Sequence, residues 1–302
     1  MGLLGYGERD STPFTILALL LTSVLCFFAF FQWNLFSLIE NSASTSYTSW
    51  IPLEIVMIWR FICAFIGLAA VVYMFRTIPG FMPVILHKER TEIIIHPVGL
   101  QHFVTFSSWT LLINILYFLL STIITFAVIS GTNVPQWMNI AVIIFFSAAA
   151  GSSFLTATVV RYVILPEEVK VGRVNENMFN FHNQLMHNFA AIFIAVDLII
   201  SRPTLHPEFA VFGLFFGLIY AVFAYLFAFY GGGFYVYTFI DPRLKYAPLL
   251  MTALAIAIAT FYLGLWLLSQ LLSYNYLIGS ILVIIWVSLI VQFKSKLVLE
   301  EE

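Results

Sequence analysis

Two short runs of the chain concentrate side chains that could do chemistry. Gln101-His102-Phe103-Val104-Thr105-Phe106-Ser107-Ser108-Trp109 sets hydroxyls beside a histidine. Phe181-His182-Asn183-Gln184-Leu185-Met186-His187-Asn188 sets two histidines among amides. A hydroxyl becomes a useful nucleophile when a base takes its proton across about 2.6–3.2 Å. A histidine, with an ordinary pKa of about 6.5, can do this near neutral pH. Thr105 and His187 are therefore a candidate nucleophile and base. Ser108, Asn183 and Asn188 are candidates to donate hydrogen bonds to an oxyanion or to a polar group of a substrate.

Three further residues look supporting rather than reactive. Asp197 lies past His187 by about 15 Å of straight helix, too far for direct contact, so it is expected to pair with another segment. Arg60 sits inside an apolar run and needs a partner or a route to the interface for its charge. His182 is five positions from His187, a spacing that does not put both on one helical face. No third histidine or cysteine joins them at recognisable spacing, so no metal site is expected. Each of these residues also has a structural reading. A membrane-helix Thr often bonds its own backbone or a neighbouring helix, and Asp197 could be a buried anchor.

The elements that must position these residues follow from composition. The chain has 302 residues, 62% hydrophobic and only 9% charged, where a soluble domain carries about 25% charged residues. That excludes a soluble enzyme or a disordered regulator. The net charge of −2 offers no broad basic field for nucleic acid. A membrane-spanning helix needs about 20 apolar residues. The apolar runs are Phe14 to Phe31, about Ile55 to Phe75, Phe103 to Ser130, Met138 to Ile164, Leu185 to Ile200, Phe209 to Tyr230, Ala247 to Leu268 and Leu277 to Val291. The fifth is expected to begin nearer Phe181, and a tight turn at Ser273 to Asn275 separates the last two. The sequence thus predicts an all-α, polytopic bundle of about eight transmembrane helices, forming one membrane domain over 1–302. Cys26 and Cys63 lie within apolar runs and are expected to be packing residues. The Gly231–Gly233 run is expected to end or bend the sixth helix.

Charge placement orients the bundle. Arg9, Arg76, Lys88, Arg90, Arg161, Lys170, Arg173, Arg243, Lys245, Lys294 and Lys296 fall on one side if there are eight spans. Arg202 falls on the other. The positive-inside rule then places both termini in the cytoplasm. Spans three and five start on that same side, so Thr105 and His187 lie at similar depth. No cleavable signal peptide is expected.

At these residues the chain resembles the membrane family containing the androgen-induced protein AIG and the androgen-dependent TFPI-regulating protein. It also resembles the related rolling-stone family. Phe103-Val104-Thr105-Phe106 is similar to the segment holding that family's nucleophilic threonine. Asn183-Gln184-Leu185-Met186-His187, with Asp197 beyond it, is similar to the segment holding its catalytic histidine and a later acidic residue. Gly233-Phe234-Tyr235-Val236-Tyr237 is similar to its glycine-aromatic segment, and Ser201-Arg202-Pro203 to a rolling-stone loop. The resemblance covers a six-helix body over 55–268, with 1–54 and 269–302 as additional terminal spans and tails. It implies a threonine hydrolase of fatty acid esters of hydroxy fatty acids, with Thr105 attacking the ester and His187 moving the proton. Its partners would be membrane lipids and the lipid-ester substrate, and no cofactor is needed. A transporter or channel for a small or lipid-like solute is the alternative from another class, as is a non-enzymatic rolling-stone-like membrane protein.

Overall fold

The protein is described from a computed structural model, which covers residues 4–43, 50–78, 80–172 and 176–294. Arg173, Lys296 and the acidic ending lie outside the described residues. The apolar runs form helices because hydrocarbon leaves backbone groups no other way to be satisfied within one segment. In chain order these are α1 (Thr12–Gln32), the short α2 (Leu35–Ala43), α3 (Leu53–Arg76) and α4 (Phe106–Ile129). They continue as α5 (Gln136–Lys170) and α6 (Phe181–Ser201), then α7 (Ala210–Tyr230), α8 (Ala247–Tyr274) and α9 (Tyr276–Ile290). Among the described residues, seven helices are long and apolar enough to cross a membrane. The eighth expected span is α9, of 15 residues. At 1.5 Å per residue it is about 22 Å long, against a hydrocarbon core of about 30 Å. Its helix starts at the predicted turn, where the Asn275 side chain accepts a bond from the Ile278 amide at 3.1 Å.

The centre of the bundle is α5. Its run Ser147-Ala148-Ala149-Ala150-Gly151-Ser152-Ser153 is buried throughout. Small side chains let neighbouring backbones come close, which is how helices pack without a hydrophobic driving force between them. A Cβ added at Gly151 would stand 2.9 Å from the Ile258 carbonyl oxygen on α8. By contrast, α1 is outermost, with Phe14, Leu20, Val24, Leu25 and Phe28 all exposed, as expected of a surface facing acyl chains. Cys26 and Cys63 are free thiols buried in the core, in keeping with packing roles.

Two charges inside the bundle find each other. Arg60 on α3 meets Asp197 on α6 through Nε–Oδ1 at 2.9 Å and Nη2–Oδ2 at 3.2 Å. Its Nη1 donates to Thr125 Oγ1 of α4 at 2.8 Å. Tyr117 of α4 and Ser201 of α6 donate to the same carboxylate at 2.5 and 3.1 Å. This cluster ties α3, α4 and α6 together and gives both residues the cross-helix partners their positions demand.

The bundle is all-α, and one small non-helical feature is appended to it. A small antiparallel sheet, ordered β2-β1-β3, sits at the end of the bundle that carries the α3–α4 connection. It comprises β1 (Met82–Leu86), β2 (Glu92–Ile95) and β3 (Phe234–Tyr235). The hairpin turn places Arg90 at φ +57°. The start of the chain joins this end: Tyr6 bridges Leu244 and its hydroxyl donates to Asp241 Oδ2 at 2.8 Å. Burial first, and then the bond to Asp241, push the Tyr6 phenol up to about 12, so it remains a donor at ordinary pH. Arg243 also pairs with Asp241, through Nη2–Oδ2 at 2.5 Å, and donates to the His87 carbonyl. The Gly231–Gly233 run does end α7, and Gly233 has φ +73°, a conformation that favours glycine.

Candidate functional site

The site is built where α4 begins. A 3₁₀ turn, Gly99–Val104, leads into Thr105, which is extended at φ −87°, ψ 148° and caps α4. The Thr105 oxygen accepts from the Ser108 amide at 3.1 Å and from the Ser107 hydroxyl at 3.1 Å. Ser108 Oγ donates to the His102 carbonyl at 2.5 Å and lies 2.7 Å from Thr105 Oγ1. With its one proton on His102, Ser108 must be the acceptor in that last contact, and Thr105 the donor. Two donors and a helix N-terminus therefore converge on the Thr105 oxygen. All three would favour negative charge there.

His187 comes from α6, within a π-helical turn, Leu185–Phe189. Such turns insert one extra residue into an α-helix and recur at functional sites. His187 is 6% exposed, and its buried Nδ1 has no hydrogen-bond partner among the described residues. A second π-helical turn, Val160–Ile164, lies in α5. Residues of both turns line one cavity of about 340 Å³, together with Thr105, Ser107 and Ser108. That volume lies in the range of small-molecule sites, about 300–1,000 Å³. Leu214 and Leu218 of α7 and Met251 and Ile258 of α8 make the wall apolar away from the hydroxyls.

The predicted residues divide clearly. Thr105, Ser108, His182, Asn183 and His187 all border this cavity. The Thr105 hydroxyl bonds to Ser107 and Ser108 rather than to His187; contact between α4 and the π turn is made by Ser108 Oγ and Met186 Sδ at 3.7 Å. Asn188 turns the other way. Its Nδ2 donates to Gln184 Oε1 at 2.6 Å and to the Gln292 carbonyl at 2.7 Å, and its Oδ1 accepts from the Gln292 amide at 3.0 Å. Its amide is thus committed to holding the segment after α9. Arg60 and Asp197 do not line the cavity; Arg60 borders a separate void of about 30 Å³. His102, just outside α4, also lines the cavity, and burial holds its pKa below the ordinary histidine value.

Sequence reasoning passed over Tyr237. It follows β3 in the glycine-aromatic segment, stacks on Phe239 with ring centroids 5.1 Å apart, and lines the cavity. Burial raises its phenol pKa, offset in part by polar groups of Ser107, Phe106 and Thr105. It is thus a neutral donor next to the Thr105 hydroxyl. The signal was present in Gly233-Phe234-Tyr235-Val236-Tyr237, but nothing local tells which tyrosine faces the hydroxyls. Were the cavity to cleave an ester, with Tyr237 donating to the oxyanion, Tyr237→Phe should lower kcat by about 100-fold while leaving KM near its original value. An unchanged kcat would remove that role.

No family model, curated protein or solved structure matches the chain. The geometry by itself defines a multi-pass helical membrane protein with an amphipathic cavity open at one end.

Proposed function

We propose that the chain is a membrane-embedded hydrolase of lipid carboxylic esters, with Thr105 as nucleophile and His187 as base. One observation carries this reading. A hydroxyl already receiving two donors and a buried histidine with an unpartnered nitrogen border the same amphipathic cavity. In the reaction His187 takes the Thr105 proton as Oγ1 attacks the ester carbonyl. The tetrahedral intermediate expels the alcohol, which receives that proton from His187. Water, deprotonated by His187, then attacks the acyl-threonine, and collapse of that intermediate releases the fatty acid as His187 returns the proton to Thr105 Oγ1. For this, Thr105 must turn its proton from Ser108 to His187 when substrate enters. Fatty acid esters of hydroxy fatty acids, which the family resemblance implies, are the first substrates to assay. By the charge pattern we place the sheet-bearing end, both termini and the cavity mouth at the cytoplasmic face.

A second reading rests on the Thr105–Ser108 bond itself. If Thr105 serves only to cap α4, the cavity binds or moves a lipid-like solute without cleaving it. A lipid-chain fluorophosphonate applied to the purified protein separates the two. Hydrolysis predicts a covalent adduct on the peptide carrying Thr105, blocked by prior incubation with ester. Lipid binding with neither adduct nor turnover would overturn the hydrolase in favour of a carrier.

A further inference from the structure

The apolar end of the cavity has a definite floor. Thr110 of α4 meets Thr156 of α5, hydroxyl to hydroxyl, at 3.2 Å. The cavity reaches that level, about 7 Å of helix beyond Thr105, because Thr156 and its neighbour Leu155 still line it. There the described lining of α5, α7 and α8 stops, at Leu155, Leu214 and Ile258. One turn further along α8, Tyr262 is fully buried and donates to the His206 carbonyl at 2.9 Å, so the bundle is closed below.

Ile258 is 2% exposed and has backbone close around it. A Cβ added at Gly151 would meet its Cγ1 at 3.2 Å, and one at Gly213 would meet the same atom at 3.6 Å. The glycines thus let α5 and α7 close in on the isoleucine. A Cβ added at Gly217 would stand 3.7 Å from Ile258 Cδ1, and Gly217, unlike the other two, lines the cavity. A β-branched side chain in a helix has little freedom at χ1, so Ile258 makes a firm end wall.

We infer that Ile258 is the floor of an acyl-chain pocket and fixes the longest straight chain the cavity takes while the ester carbonyl sits at Thr105. The guest's identity as a lipid ester rests on the proposed function; the floor does not. A chain arriving from the bilayer exchanges one hydrocarbon surrounding for another, so added methylenes bring little gain. What they meet is a limit. A chain that overruns Ile258 must overpack the wall or draw its carbonyl away from the hydroxyls.

Ketone analogues, in which a methylene replaces the bridging oxygen of the ester, keep the carbonyl and cannot be hydrolysed. A radiolabelled series of rising acyl length is bound to the full-length protein in zwitterionic nanodiscs, and uptake by empty nanodiscs is subtracted. Affinity per mole of bilayer lipid should hold nearly constant up to a limiting length, then fall about tenfold or more within a few further carbons. Ile258→Ala opens the space ahead of Gly213 and should raise the limit by about two or three carbons. Gly217→Ala places its methyl at an ordinary contact distance, favours the helix, and should lower the limit by about one carbon. Constant affinity through the longest chain, no binding at any length, or a limit unmoved in a folded variant would each overturn the inference. If Ile258→Ala does not fold, Gly217→Ala decides alone. Because the ketones are not substrates, a missing length limit leaves the hydrolase reading standing. A limit found without any ester turnover would sink that reading while Ile258 keeps its role.

Discussion

Thr105→Asn should abolish ester hydrolysis, by about 1,000-fold or more, in a protein that remains folded. Asn is chosen because Thr105 has two jobs that must be separated. It caps α4, accepting the Ser108 amide, and Asn is among the best residues at that position, whereas Ala would cost about 1 kcal/mol of helix stability. Asn keeps the cap and deletes the nucleophile. Thr105→Ser keeps both and should retain measurable turnover. His187→Gln should fall as far as Thr105→Asn, because a nucleophile and its base fail together, and the double variant should be no worse than either alone. The measurement is kcat on purified protein beside its unfolding temperature. Thr105→Asn turning over within tenfold of the unsubstituted chain would end the case for Thr105 as nucleophile.

The second large effect is on stability. Asp197 is fully buried and its carboxylate accepts from Arg60, Tyr117 and Ser201. Asp197→Asn removes the charge and leaves the Arg60 guanidinium inside the bundle with no counter-charge. Breaking a buried pair from one side costs about 3–5 kcal/mol, while replacing both partners by apolar groups is often close to neutral. Asp197→Asn and Arg60→Met should therefore each lower the unfolding temperature sharply. Arg60→Met combined with Asp197→Asn should lose much less than the sum of the two single losses, a non-additivity that marks direct coupling. Because the pair lies away from the cavity wall, kcat per folded molecule should hold. Single variants as stable as the unsubstituted chain would show that the pair does not hold α3, α4 and α6 together.

What could be read from residue order tracks the physics that acts locally. Helix positions were legible because a membrane leaves an apolar run few choices. Even the late start of the fifth span near Phe181 agrees with α6. The hairpin was not: Met82-Pro83-Val84-Ile85-Leu86 and Glu92-Ile93-Ile94-Ile95 have strand composition, but the sheet also needs Phe234–Tyr235 from far along the chain. The two π turns leave no mark in hydropathy, since one extra residue does not change an apolar average. Partners for Arg60 and Asp197 were demanded by their burial, but only tertiary contact names each as the other's. The hydroxyl and histidine clusters were legible as chemistry. That Asn188 faces the tail rather than the cavity was not, because its partner is the backbone of Gln292.

That last contact bears on synthesis. The π turn bearing His187 is clasped by Gln292, 104 residues beyond Asn188, and by the Phe293 carbonyl through Gln184. A ribosome inserting α6 into the bilayer thus delivers the imidazole well before the segment that clasps its turn. Until α9 has arrived and its trailing residues have docked, the Asn188 amide has no Gln292 to hold. Completion of this wall is therefore timed by the arrival of α9, so that a half-made chain carries both Thr105 and His187 without the finished clasp behind them.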